Sequence, residues 1–162
     1  MRRLFAAAVM VAVVAGLAWA TTGSGTTSTL IGRATFGEPV KVKRVSEDHD
    51  WEVKVHAKPA LDIAVQTIVF QPGGHSGWHS HPGPVVVLVK VGELTLYDGE
   101  DPTCTGRTYS AGQAFVDRGQ GHVHIARNLS PAQNVELWVT YFDVPVGGGF
   151  RVDADDPGNC DF

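Results

Sequence analysis

From Glu38 onward, apolar and polar residues alternate in short bursts separated by glycine, proline and acidic turns. Alternation with a period of two over four to eight residues is the signature of a half-buried strand. It predicts strands over 38–45 (EPVKVKRV), 51–56 (WEVKVH), 61–70 (LDIAVQTIVF), 93–97 (ELTLY), 113–116 (QAFV), 122–127 (HVHIAR) and 134–144 (NVELWVTYFDV). The stretch 84–91 (PVVVLVKV) is nearly continuous in apolar residues, so both of its faces are covered or one lines an enclosed cavity. Gly92 between 84–91 and 93–97 suggests a hairpin. No long stretch repeats with the helical period. A chain of 162 residues with this pattern is expected to form one all-β domain, a sandwich or barrel.

The two ends fall outside the pattern. Residues 1–20 combine Arg2 and Arg3, an uncharged apolar run from Leu4 to Leu17, and Ala18-Trp19-Ala20, a small-x-small site. That is the layout of a secretory signal peptide. The apolar run is short for a membrane span, so cleavage is favoured over a retained anchor, with no stable membrane insertion afterwards. Arg2, Arg3 and Phe5 also fit a twin-arginine signal, so the export route is open. Residues 21–30, opening TTGSGTTS, read as a flexible linker, 31–146 as the barrel, and 147–162 as a C-terminal tail.

Charge narrows the partners. The chain carries −4, and loss of Arg2 and Arg3 with the signal brings it to −6. No basic stripe with interleaved aromatics is present, which excludes a nucleic-acid partner. The two cysteines, Cys104 and Cys160, are expected to form a disulfide in a secreted or cell-envelope protein and to tether the tail. The chain-entropy model gives roughly 4 kcal/mol for such a loop.

The candidate chemistry is in the histidines. His75, His79 and His81 fall within seven residues, and His122 and His124 form a second His-x-His pair. Spacing of i, i+2 on a strand puts both imidazoles of a pair on one face, half of a metal site. His79, His81 and His124 are the candidate ligands. His75, His122, Gln66 and Glu136 are candidates for a fourth ligand or for a hydrogen bond to one. Asp98 and Asp117 read as turn residues, Asn128 as a turn residue or a ligand contact, and Trp78 as packing at the barrel mouth. Trp138, Tyr141 and Phe142 read as core.

Gly73, His79, His81 and Gly92, followed by Gly112, Gly121, His124 and Asn128, resemble the two motifs of the cupin superfamily over roughly residues 60–143. The resemblance implies a single double-stranded β-helix, or jelly-roll barrel. It implies one mononuclear site at His79, His81 and His124, facing a cavity lined by parts of 61–70, 84–91 and 134–142. Two positions depart from the motifs. Val85 stands where the first has glutamate, and Gly119 stands where the second has proline. Three neutral imidazoles without a carboxylate suit one divalent transition metal, iron, zinc, copper or nickel, better than manganese.

The cupin resemblance also implies a small-molecule ligand or substrate and admits a homodimer. Cupins host many reactions, so the activity stays open. A metal-dependent dioxygenase is one reading. The alternative is a non-catalytic ligand-binding or structural barrel whose site is vestigial or empty.

Overall fold

The computed structural model describes residues 21–58 and 60–162. The expected signal, 1–20, lies outside them. Twelve strands and no helix are present among the described residues: β1 Ser24–Thr35, β2 Val40–Val45, β3 Glu52–Ala57, β4 Leu61–His75, β5 His79–Ser80, β6 Val85–Val91, β7 Glu93–Asp98, β8 Arg107–Ser110, β9 Ala114–Asp117, β10 His124–Arg127, β11 Val135–Pro145 and β12 Val152–Asp153. No helix there is long and apolar enough to cross a membrane.

Ten strands make a nearly closed antiparallel barrel with two leaves. One runs β1-β4-β11-β6-β9, the other β12-β5-β10-β7-β8. Pairing of Arg127 with His75 joins the leaves at the end of β4. From β4 to β7 the chain changes leaf at each step, the path of a jelly roll. The pleat sends alternate side chains inward, and Val85, Val87 and Val89 of β6 meet Val135, Leu137, Val139 and Tyr141 of β11 in the core. The strands β2 and β3 pair only with each other.

Several expectations change here. Residues 21–30 are not a flexible linker. Thr21 donates its N–H to Ala154 O (3.1 Å), and β1 pairs with β4 from Thr35 back to Ser24. The run looks like a linker because β1 faces mostly solvent, where Thr and Ser suffice. Its backbone still satisfies the outer edge of β4. Arg33 of β1 adds a clamp, donating to buried Asp62 (2.5 Å) and to Gly148 O and Pro145 O (2.6 and 2.7 Å).

The turn at Gly92 is a corner and not a hairpin. Strand β6 pairs with β11 and β9, whereas β7 pairs with β10 and β8. Gly92 has φ +77°, and a Cβ there would lie 2.6 Å from Asn134 O, so only glycine turns the chain from one leaf to the other. The outer face of β6 is open, with Leu88 exposed beside Trp138 and Val116 of its neighbours. Trp138 is therefore not core. It lies half-exposed with Lys90 5.3 Å from its ring.

The tail is part of the barrel. Strand β12 pairs with β5, Asp153 opposite His79. Cys104 and Cys160 form the expected disulfide, with Cα atoms 5.3 Å apart and a separation of 56 in sequence. Asn159 donates to Asp98 O and Asp101 O (2.9 and 2.6 Å), and the Arg127 guanidinium lies 3.8 Å from the Phe162 ring. Replacing both cysteines by serine is expected to lower unfolding stability by about 2–4 kcal/mol, read from urea titrations. An unchanged midpoint would show that the tail docks without its covalent tether.

Candidate metal centre

His79 and His124 sit directly opposite each other on β5 and β10, and His81 follows two residues after His79. Their ring centroids lie 4.3 Å apart for His79–His124, 4.8 Å for His79–His81 and 5.3 Å for His81–His124. All three are buried, and one ligand atom from each falls within 4.8 Å of the others.

The backbone fixes which nitrogen is free. Nδ1 of His79 lies 2.9 Å from Gly77 O, and Nδ1 of His81 lies 2.6 Å from Phe150 O. A carbonyl only accepts, so each Nδ1 carries the proton and each Nε2 keeps its lone pair. Burial, with the cost of placing a charge beside His124 and Arg151, holds His79 down to about 2. Burial likewise brings His81 down to about 4. Both rings are neutral at pH 7, the form that binds a metal. Three imidazole ligands, two of them with the tautomer set by a backbone carbonyl, fit zinc, iron, copper or nickel.

Behind His124 is a carboxylate that sequence reading placed in a turn. Asp117, at the end of β9, is 3% exposed. Its Oδ1 accepts the Gly119 N–H (2.7 Å), and its Oδ2 accepts from His122 Nδ1 (2.8 Å). The same Oδ2 lies 3.1 Å from His124 Nδ1, close enough for an ion pair but without hydrogen-bond alignment. Burial disfavours the Asp117 charge, but its contacts to His124, His122 and the Gly119 N–H outweigh this and hold the carboxyl far below the usual range. The missed signal was register: the residue before Arg118-Gly119 ends an inward-alternating strand.

Gly119, at the motif's proline position, has φ +64°, and a Cβ there would run into the Gly83 carbonyl, leaving no room for a side chain.

The auxiliary candidates separate. His122 precedes β10 and lies outside the three-histidine group, with Nε2 3.0 Å from Asp98 Oδ2. Burial opposes its charge, yet Asp98 and Asp117 raise its pKa. Gln66 lines the same cavity, with Oε1 accepting the Tyr141 hydroxyl (3.1 Å). His75 ends β4 away from the group, where its Nδ1 accepts the Gly77 N–H (3.2 Å). Glu136 is not near the site either: the alternation of β11 turns it outward to Lys90 (2.8 Å). Asn128 is a structural knot, its side-chain N–H groups reaching Phe70 O, Gln71 O and Gln133 O. Trp78 is fully buried.

The histidines open into a cavity of about 320 Å³. Ile68, Phe70, Val87, Leu137 and Phe115 make it largely apolar, on the three strand segments expected from the sequence and on β9. Tyr141, predicted as core, is on the cavity wall with its ring 5.4 Å from His81 and stacked 5.0 Å from Phe150. Burial raises its hydroxyl pKa, so it stays a proton donor. Arg151 reaches the wall and is held by Asp153 (2.5 Å).

No family model and no curated protein matches the chain. Solved structures do. The polyketide cyclase RemF from Streptomyces resistomycificus is similar at 15% identity and TM-score 0.52, over 92% of this chain and 90% of that one. A cupin-2 domain of an XRE family transcriptional regulator from Enterobacter cloacae is similar at 18% identity and TM-score 0.45, over 75% of this chain and 99% of that one. A recombinant oxalate oxidase in complex with glycolate is 25% identical with TM-score 0.42, over 51% of this chain. This chain spans 42% of that oxidase's length. The likeness to RemF is one of fold, and it extends over nearly all of the described barrel. The chain therefore has a jelly-roll barrel fold like that of RemF, with His79, His81 and His124 gathered inside it from both cupin-like motifs.

Proposed function

We propose that the chain is an exported cupin with one divalent transition metal at His79, His81 and His124, which binds a small molecule and oxidises it with dioxygen when the ion is iron. One observation carries the metal reading: three buried imidazoles converge, two with Nδ1 committed to backbone carbonyls and Nε2 left bare. The disulfide and the lack of a membrane-spanning helix among the described residues are compatible with export.

A bound ion would contribute Lewis acidity and, as iron, dioxygen activation. The chain's own residues do the remaining work. His79, His81 and His124 would hold the ion and leave coordination positions toward the cavity. The apolar wall excludes water and accepts an apolar ligand body. Arg151, its guanidinium paired with Asp153, adds a polar residue to that wall. Tyr141, protonated and bonded to Gln66, presents a fixed polar group beside His81.

A non-catalytic binding barrel is the second reading. It is favoured by the engagement of the buried acid Asp117 with Gly119 and His122, which keeps it from serving as a free base.

Elemental analysis of untagged protein beginning at Thr21 tests the centre. About one ion of iron, zinc, copper or nickel per chain is expected. His79→Ala, His81→Ala and His124→Ala are each expected to lose it while keeping the strand circular-dichroism spectrum. A wild-type protein that cannot be loaded, or variants that keep the ion, would contradict the proposal. Tyr141→Phe tests the cavity wall separately. Removing the hydroxyl strands buried Gln66 Oε1 and is expected to lower stability by about 1–3 kcal/mol in urea. Unchanged stability would mean that Gln66 finds another partner.

A further inference from the structure

The first cupin-like motif lacks its carboxylate. The glutamate position, seven residues before Gly92, is Val85, which is buried and lines the cavity. The register of the barrel shows what stands opposite. On the β6–β9 ladder the Cα partner of Val85 is Asp117. Directly opposed residues of antiparallel strands project from the same face about 4.5–5.5 Å apart, and Asp117, like Val85, faces the cavity. A carboxylate thus stands on β9 directly across from the β6 position where the motif has glutamate.

Its position differs from that of a direct ligand. Asp117 groups at ligand distance with His122 and His124, whereas His124 groups separately with His79 and His81. His124 is the shared member. Its Nδ1 faces Asp117 at 3.1 Å, which leaves Nε2 for the other two histidines. The other two rings have their Nδ1 fixed by carbonyls of Gly77 and Phe150, but His124 has no such carbonyl and its Nδ1 has no aligned hydrogen bond. Asp117 is the acceptor that remains for it. Asp117 itself is locked by the Gly119 N–H and by His122, and Asp98 holds His122 from the far side. Two layers of contacts aim one carboxylate at one ring.

Building on the three-histidine reading above, we infer that Asp117 replaces the motif's missing glutamate from the facing strand, as a positioning residue that acts through His124. It holds the proton on Nδ1, turns Nε2 toward the ion, and places a buried carboxylate close to a site otherwise made of imidazoles. A carboxylate behind a metal-bound imidazole typically changes metal affinity by 10–100-fold.

Nitrogen-15 NMR of the histidine rings in metal-free protein, paired with zinc titration, tests this. In wild type, His124 is expected as the Nδ1–H tautomer. Asp117→Asn keeps the shape and an acceptor for Gly119 but drops the charge. It is expected to weaken zinc binding about 10–100-fold and to mix the His124 tautomers. Asp117→Glu, which keeps the carboxylate, is expected to bind more tightly than Asp117→Asn. A wild-type His124 protonated on Nε2 would overturn the inference, and that reading stands even if the variants do not fold. So would folded Asp117→Asn with zinc affinity within about threefold of wild type, which would leave the three-histidine centre itself intact. Wild-type protein that takes up no zinc would remove the centre, and this inference with it.

Discussion

Three imidazoles packed within about 5 Å of one another inside a barrel cannot all carry a charge, and burial holds His79 and His81 neutral. That condition shapes the surrounding chain. A neutral ring still has one N–H, and a buried N–H needs an acceptor. Gly77 O and Phe150 O meet the need for His79 and His81. The second acceptor comes from beyond Pro145, so the C-terminal segment completes the site. Strand β12 beside β5, the disulfide to Cys104 and the Arg33 clamp on Pro145 and Gly148 all hold that segment in place.

The two leaves divide the work. The leaf with β5 and β10 carries the histidines. The leaf with β4, β6, β9 and β11 presents the apolar wall, Gln66, Tyr141 and the Asp117 carboxylate. The sharp corner at Gly92, where β6 leaves one leaf and β7 enters the other, is thus a condition of the site as well as of the fold. A hairpin there would keep both strands on one leaf.

The alternating strands and the histidine pairs were legible in the sequence because their signals are local. Period two marks β2, β3, β4, β7, β9, β10 and β11, a nearly continuous apolar run marks β6, and two His-x-His pairs in motif register mark the centre. Three kinds of feature were not legible. Strand β1 pairs through its backbone while its small polar side chains face solvent, so composition makes it look like a linker. Strand β12 is two residues long and exists only through pairing with β5. Glu136 and Asp117 exchanged roles because facing depends on register. Alternation along β11 turns Glu136 to Lys90, whereas pairing with Val85 turns Asp117 inward. The absence of glutamate at position 85 was visible in the chain, but its cross-strand substitute appears only once the strands are paired.

The claim on which the functional account depends is that three rings hold one ion. X-ray absorption of the zinc-loaded protein addresses it directly. Three imidazole nitrogens at about 2.0–2.1 Å, with the multiple scattering of histidine rings, are expected. A first shell of oxygens alone, or one with fewer than two imidazoles, would contradict it and leave the histidines as a neutral cluster on a ligand-binding barrel.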